Sequence, residues 1–228
     1  MKKISLLMML LIMTILNTSC ATKFPTYDIT SILPRDSFVK VEVKVKIEKC
    51  IVPEGGKEEC FTNSAVGHGS GVVLENTRRG SYILTAGHVC EETGLEEEAK
   101  INNFSFKMRF DVLDIGKERY TAKVIKVDRR LDTCIMFAED LDKPAVKLRR
   151  RSQPEIGEKV YNLAAPAVIY DENMFPILEG RYSGDTDVYS VYTIPAIGGS
   201  SGSPIINKHG QLVGMIHSVH RVFPFVSY

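Results

Sequence analysis

Tryptophan is absent from the 228 residues, so a core has to be assembled from aliphatic side chains, phenylalanine and tyrosine. A charge excess of either sign is missing too. There are 29 Lys plus Arg against 28 Asp plus Glu, a formal net charge of +1. Nucleic-acid-binding domains normally show a clear basic excess, so no nucleic-acid partner is expected. The chain has no internal repeats and no low-complexity tracts. Its 44% hydrophobic and 25% charged residues exclude a disordered or collagen-like chain. No Cys, His, Asp and Glu cluster has metal-ligand spacing, and Cys50 and Cys60 lack close Cys or His partners. Neither a metal nor a cofactor is expected. The apolar run Ile4–Leu16 has 13 residues, short of the ~20 that span a bilayer as a helix. What remains is long enough for one large β domain or two small ones.

The first segment is an address. Lys2 and Lys3 precede the apolar run, which is the arrangement of an export signal over residues 1–20. Two processing sites compete. Ser19 and Ala21 permit ordinary cleavage after Ala21, whereas Asn17-Thr18-Ser19-Cys20 resembles a bacterial lipobox in which Cys20 would be lipidated. The lipobox usually has Leu where Asn17 stands. There are five cysteines, an odd count that asks for an explanation in an exported chain. Whether Cys20 carries lipid or leaves with the signal, Cys50, Cys60, Cys90 and Cys134 remain for two disulfides in an oxidising compartment. The expected location is the cell envelope, periplasmic or tethered to a membrane through Cys20, or the exterior if cleavage follows Ala21.

Residues 21–37, with Pro25 and Pro34, read as a tether, and residues 38–228 as the folded body. Val39, Val41, Val43, Val45 and Ile47 alternate with charged residues, the period-2 signature of a half-buried strand. Pro53, Gly55 and Gly56 then turn the chain, and Cys50 and Cys60 flank that turn, as a disulfide closing a hairpin would require. Short apolar runs follow at Val72–Leu74, Tyr82–Leu84, Phe104–Phe110, Tyr120–Val127 and Ile135–Phe137. More come at Val160–Ala164, Val188–Ile194, Pro204–Ile206, Leu212–Ile216 and Val222–Val226. Many short strands with turn signals between them predict an all-β barrel or sandwich. The acidic stretch Glu91–Glu98 reads as solvated surface with at most a little helix, and Arg149–Arg151 as an exposed turn.

Three pieces of the body could carry chemistry. In Gly198-Gly199-Ser200-Ser201-Gly202-Ser203-Pro204 a serine stands between small residues in a turn, where glycines let neighbouring N–H groups converge. In Thr85-Ala86-Gly87-His88 a histidine closes an apolar strand, and in Asp132-Thr133-Cys134-Ile135 a carboxylate begins one. A serine hydroxyl near neutral pH needs a base, and the base needs an orienting carboxylate. Their order along the chain is His, Asp, Ser.

On these motifs the sequence resembles the chymotrypsin/trypsin-like serine peptidases from about Phe38 onward. Thr85–His88 looks like the family's TAxH motif, Asp132 starts its D-hydrophobic run, and Gly199–Pro204 fits GxSGxP. Gly67–Val72 resembles the glycine-rich lead of bacterial members, and Ser203 points to the branch with glutamyl endopeptidases, near HtrA-type proteases. The resemblance implies two six-stranded antiparallel β-barrels with the active site between them. It makes Ser201 the nucleophile, His88 the general base, Asp132 its orienting partner, and the N–H groups of Gly199 and Ser201 the oxyanion hole. His217-Ser218-Val219 would pair with an extended protein or peptide substrate. Pro195 stands where trypsin-like enzymes keep a pocket carboxylate, which argues against Arg/Lys preference. Glutamyl endopeptidases use a pocket histidine on the strand of His217, but His217 sits one residue off that register. Glu preference is therefore a minor hypothesis, and His217 is otherwise a polar rim residue. Cys90 and Cys134 each lie two residues beyond His88 and Asp132, so they form either a disulfide or two buried thiols. The family's usual C-terminal helix is missing after Val222–Val226, which reads as a short C-terminus. The expected activity is that of an exported serine endopeptidase. The alternative is a catalytically silent homologue that binds peptides or an envelope partner.

Overall fold

In the computed structural model, residues 29–91, 93–150, 154–220 and 225–228 are described. The chain divides into a short unit ending at Ser31, of which only the 3₁₀ turn Ile29–Ser31 is described, and a body from Ile32 to Tyr228. The expected signal, Cys20 and residues 21–28 of the expected tether lie outside the described residues. Among the described residues no helix is long and apolar enough to cross a membrane.

The body is built of β-strands. Its first half is β1 (Phe38–Ile51), β2 (Glu59–Thr77), β3 (Gly80–Ala86), β4 (Ser105–Leu113), β5 (Arg119–Asp128) and β6 (Thr133–Glu139). They close into an antiparallel barrel in the order β1-β2-β3-β6-β5-β4. Val39, Val41 and Val43 point inward to meet Ile83, Val112 and Met136, all buried. The outward partners on β1 depart from expectation. Lys40 and Glu42 are buried as well; they bond each other at 3.0 Å, and Arg119 of β5 reaches past Asp111 on β4 to Glu42. Past Val43 β1 stays paired with both β2 and β4 as far as Glu48 opposite Ser105, beyond which only the β1–β2 ribbon continues, and the Cys50–Cys60 disulfide joins its tip across directly opposed residues.

Two helices interrupt this half, the single turn α1 (Gly87–Cys90) and α2 (Thr93–Asn102). The second occupies much of the acidic stretch, so the sequence understated the helix there. Its described residues are mostly solvent-facing.

The second half contains β7 (Lys147–Leu148), β8 (Lys159–Leu163), β9 (Ile177–Asp185), β10 (Ser190–Tyr192), β11 (Pro204–Asn207) and β12 (Gln211–Met215). They form a six-stranded sheet in the order β10-β9-β8-β11-β12-β7, antiparallel except for the β7–β12 pair. Ser227 bridges both Tyr192 on the end strand β10 and Val219 in the segment beyond β12. Val160, Ile194, Ile205 and Ile216 fill the core. Arg149 is only partly exposed and binds Glu158 at 3.0 Å, rather than standing free in a turn. The expected strand Val222–Val226 falls largely outside the described residues.

Candidate active site

The two halves meet where the three chemical motifs do. His88 lies in α1, directly after the buried strand β3. Asp132 occupies the residue before β6 with φ 46°, a left-handed conformation that Asp tolerates better than most residues because its short side chain bonds locally. All its oxygens are engaged there. The main-chain carbonyl accepts from Gly87 N–H at 2.9 Å, and Oδ1 accepts from His88 N–H at 2.8 Å. Oδ2 lies 2.8 Å from His88 Nδ1. On the far side of the imidazole, Nε2 lies 2.8 Å from Ser201 Oγ. The line Asp132–His88–Ser201 is therefore continuous. The Cys90–Cys134 disulfide ties α1 to β6 just beyond two of its members.

The turn carrying Ser201 is shaped by close backbone approaches. Gly199 has φ +94°, and a Cβ there would sit 2.4 Å from Ala165 O. At Gly202, φ +83°, a Cβ would meet Ser70 O and Thr85 Oγ1 at 2.2 Å each. Neither position admits a side chain. Ala167 N–H donates to Gly198 O at 2.7 Å. A trans peptide points its C=O and N–H in opposite directions, so this bond turns the Gly199 N–H away from Ala167. Among the described residues the N–H groups of Gly199 and Ser201 have no acceptor. Unpaired donors at buried or half-buried positions are rare unless a ligand or water uses them.

One contributor went unread in the sequence. Ser70 on β2 is wholly buried, donates its hydroxyl to Gly199 O at 2.8 Å and accepts from Ala165 N–H at 3.0 Å. Its own N–H donates to Ser201 O at 2.7 Å. A residue of the first half thus holds the Ser201 turn of the second. The only trace in the sequence was its place in Gly67–Val72, where a serine between glycines carries no chemical signal.

The remaining predicted residues are dispersed. His217 stands beyond the end of β12, with Nδ1 3.6 Å from Asp132 Oδ2 and its ring 4.8 Å from that of Tyr189. Burial holds its pKa below the ordinary value. The Asp132 charge works against that shift, and His88 adds to it. The ring is thus turned to the carboxylate of the triad-like line. Ser218 is exposed and Pro195 half-buried. Tyr228 O accepts from the N–H of His217 and Ser218, and Tyr228 N–H donates to Ser218 O. Val219 N–H and C=O, which point to the opposite side, have no partner among the described residues. A pocket of about 160 Å³ adjoins this segment, lined by Leu131, Tyr189, Met215, His217 and Tyr228 among others. The larger groove around Arg149 and Lys208 shares no residue with the site.

A closed β-barrel and a second β-sheet, with a serine, a histidine and an aspartate in hydrogen-bond contact where they meet, define the serine-peptidase class of architecture. Residues 69–215 match the model of the trypsin-like peptidase domain, and the chain belongs to that family. Among solved structures it is similar to the Rv3671c protease from M. tuberculosis in its active form, with a TM-score of 0.60 and 18% identity. That match covers 88% of this chain and 77% of the other, and it shows likeness of fold. No curated protein matches the chain.

Proposed function

We propose that the protein is an exported serine endopeptidase that works through an acyl-enzyme on Ser201. The observation that carries this reading is the pair of 2.8 Å contacts, Asp132 to His88 and His88 to Ser201. Ser201 Oγ attacks the peptide carbonyl carbon while its proton passes to His88 Nε2. Asp132 keeps the Nδ1 proton in place and stabilises the imidazolium. The carbonyl oxygen, now an anion, accepts hydrogen bonds from the N–H groups of Gly199 and Ser201. In comparable sites each such donor contributes about 3–4 kcal/mol. The C–N bond then breaks, the leaving amine takes the proton from His88, and the acyl group stays on Ser201. Water repeats the sequence with His88 as base and frees the serine. Val219 offers its N–H and C=O, unpartnered among the described residues, to the acyl side of the substrate, with His217 and Ser218 beside it.

Export is supported by two disulfides, which belong to an oxidising compartment. Lipidation at Cys20 is part of the same proposal. Intact-mass measurement of the membrane fraction against a Cys20→Ser variant tests it.

The activity is tested by a fluorophosphonate probe on the chain starting at Ala21, with the adduct located by mass spectrometry. An adduct on Ser201 that disappears in Ser201→Ala and His88→Ala is expected. A folded protein that takes no label would instead be a silent, peptide-binding homologue.

A further inference from the structure

The two edges of β2 are used unequally. One pairs with β1 without a register shift from Glu59 opposite Ile51 to Val72 opposite Phe38. The other meets β3 only from Val72 onward. Residues 59–67 are exposed, and that second edge has no strand partner there among the described residues. Long free edges are normally blunted by proline, charge or a bulge. From Cys60 to Ser70 there is no proline, lysine, arginine or carboxylate, and the ladder has no bulge.

The phase of this edge follows from Ser70. In an antiparallel strand a residue turns its N–H and C=O to one side, and the next residue turns them to the other. Ser70 N–H goes to Ser201 O, and Ser70 O accepts from Thr85 Oγ1 at 2.8 Å, both away from β1. His68, Val66, Ser64 and Thr62 share that parity and present their backbone groups outward. Of these groups only the Ser64 N–H has an acceptor among the described residues, Asn63 Oδ1 at 2.8 Å. The row begins beside the nucleophile, because Ser70 is itself bonded to Ser201.

We propose that this edge binds the leaving-group side of an extended polypeptide substrate as an added strand, running from His68 out to about Thr62. The proposal rests on the peptidase reading above. With the acyl side on Val219, a chain crossing Ser201 leaves past Ser70 and His68 against the direction of β2, which gives antiparallel pairing. The protein thereby favours unfolded or extended segments over short peptides. Substrate residues with an N–H facing β2 must not be proline.

The test uses internally quenched peptides with one common acyl half and leaving-group halves of two to eight residues. kcat/KM is expected to rise with length by on the order of tenfold, the return on about two net backbone hydrogen bonds. N-methylation of alternate leaving-group amides should remove the gain, and methylation of the intervening ones should not. Val66→Pro deletes an outward N–H without touching the β1 ladder. It should abolish the length dependence while leaving cleavage of the shortest peptide and Ser201 labelling intact. Length-independent cleavage by a protein that labels normally overturns the edge proposal alone. So does a dimer of the chain lost in Val66→Pro, if cleavage is length-independent. Absence of Ser201 labelling overturns the peptidase reading and the edge proposal with it.

Discussion

Replacing Ser70 by alanine removes one oxygen atom and tests how the turn of one half is held by the other. The hydroxyl is fully buried and serves two main-chain groups, Gly199 C=O at 2.8 Å and Ala165 N–H at 3.0 Å, both themselves buried. Alanine fits the space, so the change is one of unmatched polar groups rather than of packing. A buried donor or acceptor left without a partner costs about 1–3 kcal/mol, and the pair here, after partial relaxation, about 3 kcal/mol. For a folded body of this size that lowers Tm by roughly 6–12 °C. Urea denaturation should show a lower midpoint with an unchanged slope. Activity should fall too, because Gly199 O anchors a peptide whose neighbour carries a proposed oxyanion donor. The expected loss in fluorophosphonate labelling rate is on the order of tenfold, less than the 10²–10³ that follows outright loss of a donor. A variant with wild-type Tm and wild-type labelling would refute the assignment of Ser70 as the tie between the halves.

Three further outcomes are expected. Gly199→Ala places a Cβ 2.4 Å from Ala165 O at a positive φ, so labelling of Ser201 should drop by roughly 10²–10³ while circular dichroism stays that of a β protein. Asp132→Asn should lower kcat by on the order of 10⁴ with little change in KM, measured on a cleaved peptide. Acid stability follows from Glu42 and Asp111. Burial alone would raise both. Hydrogen bonds and charge from Arg119 and Lys40 on Glu42, and from Lys44 and Arg109 on Asp111, outweigh it and hold both below their ordinary 4.5 and 3.8. A depressed folded pKa means the unfolded chain binds the proton more tightly. The contribution is therefore complete above the unfolded values and is lost as pH falls from about 4.5 through the folded ones. Urea midpoints between pH 7 and pH 3 should show that decline, and Asp111→Asn should make it shallower.

Local chemistry explains what the sequence determined by itself. Period-2 alternation marked β1, and apolar runs marked most other strands, because alternate side chains must enter one core. The stretches Thr85–His88, Asp132–Ile135 and Gly198–Pro204 each contain, within a few residues, both the reactive side chain and the small residues that shape its turn. β9 escaped notice because glycines take two of the positions that would otherwise show its alternation, Gly180 and Gly184. Other features depend on residues far apart in the chain, and only the tertiary structure decided them. Lys40 and Glu42 looked solvent-facing but are buried, Glu42 bound to Arg119 of β5 and Lys40 set over the ring of Tyr170. His217, read as a pocket or rim residue, also turns Nδ1 to within 3.6 Å of Asp132. Ser70 gains its role from Gly199, 129 residues away. Ser227 links β10 to the segment beyond β12, and β2 keeps an edge without a strand partner among the described residues because β3 begins pairing only at Val72. A reactive group and its turn can be read from neighbours in sequence. The partners that pin it, and the edges left free for a substrate, are set by which strands pack side by side.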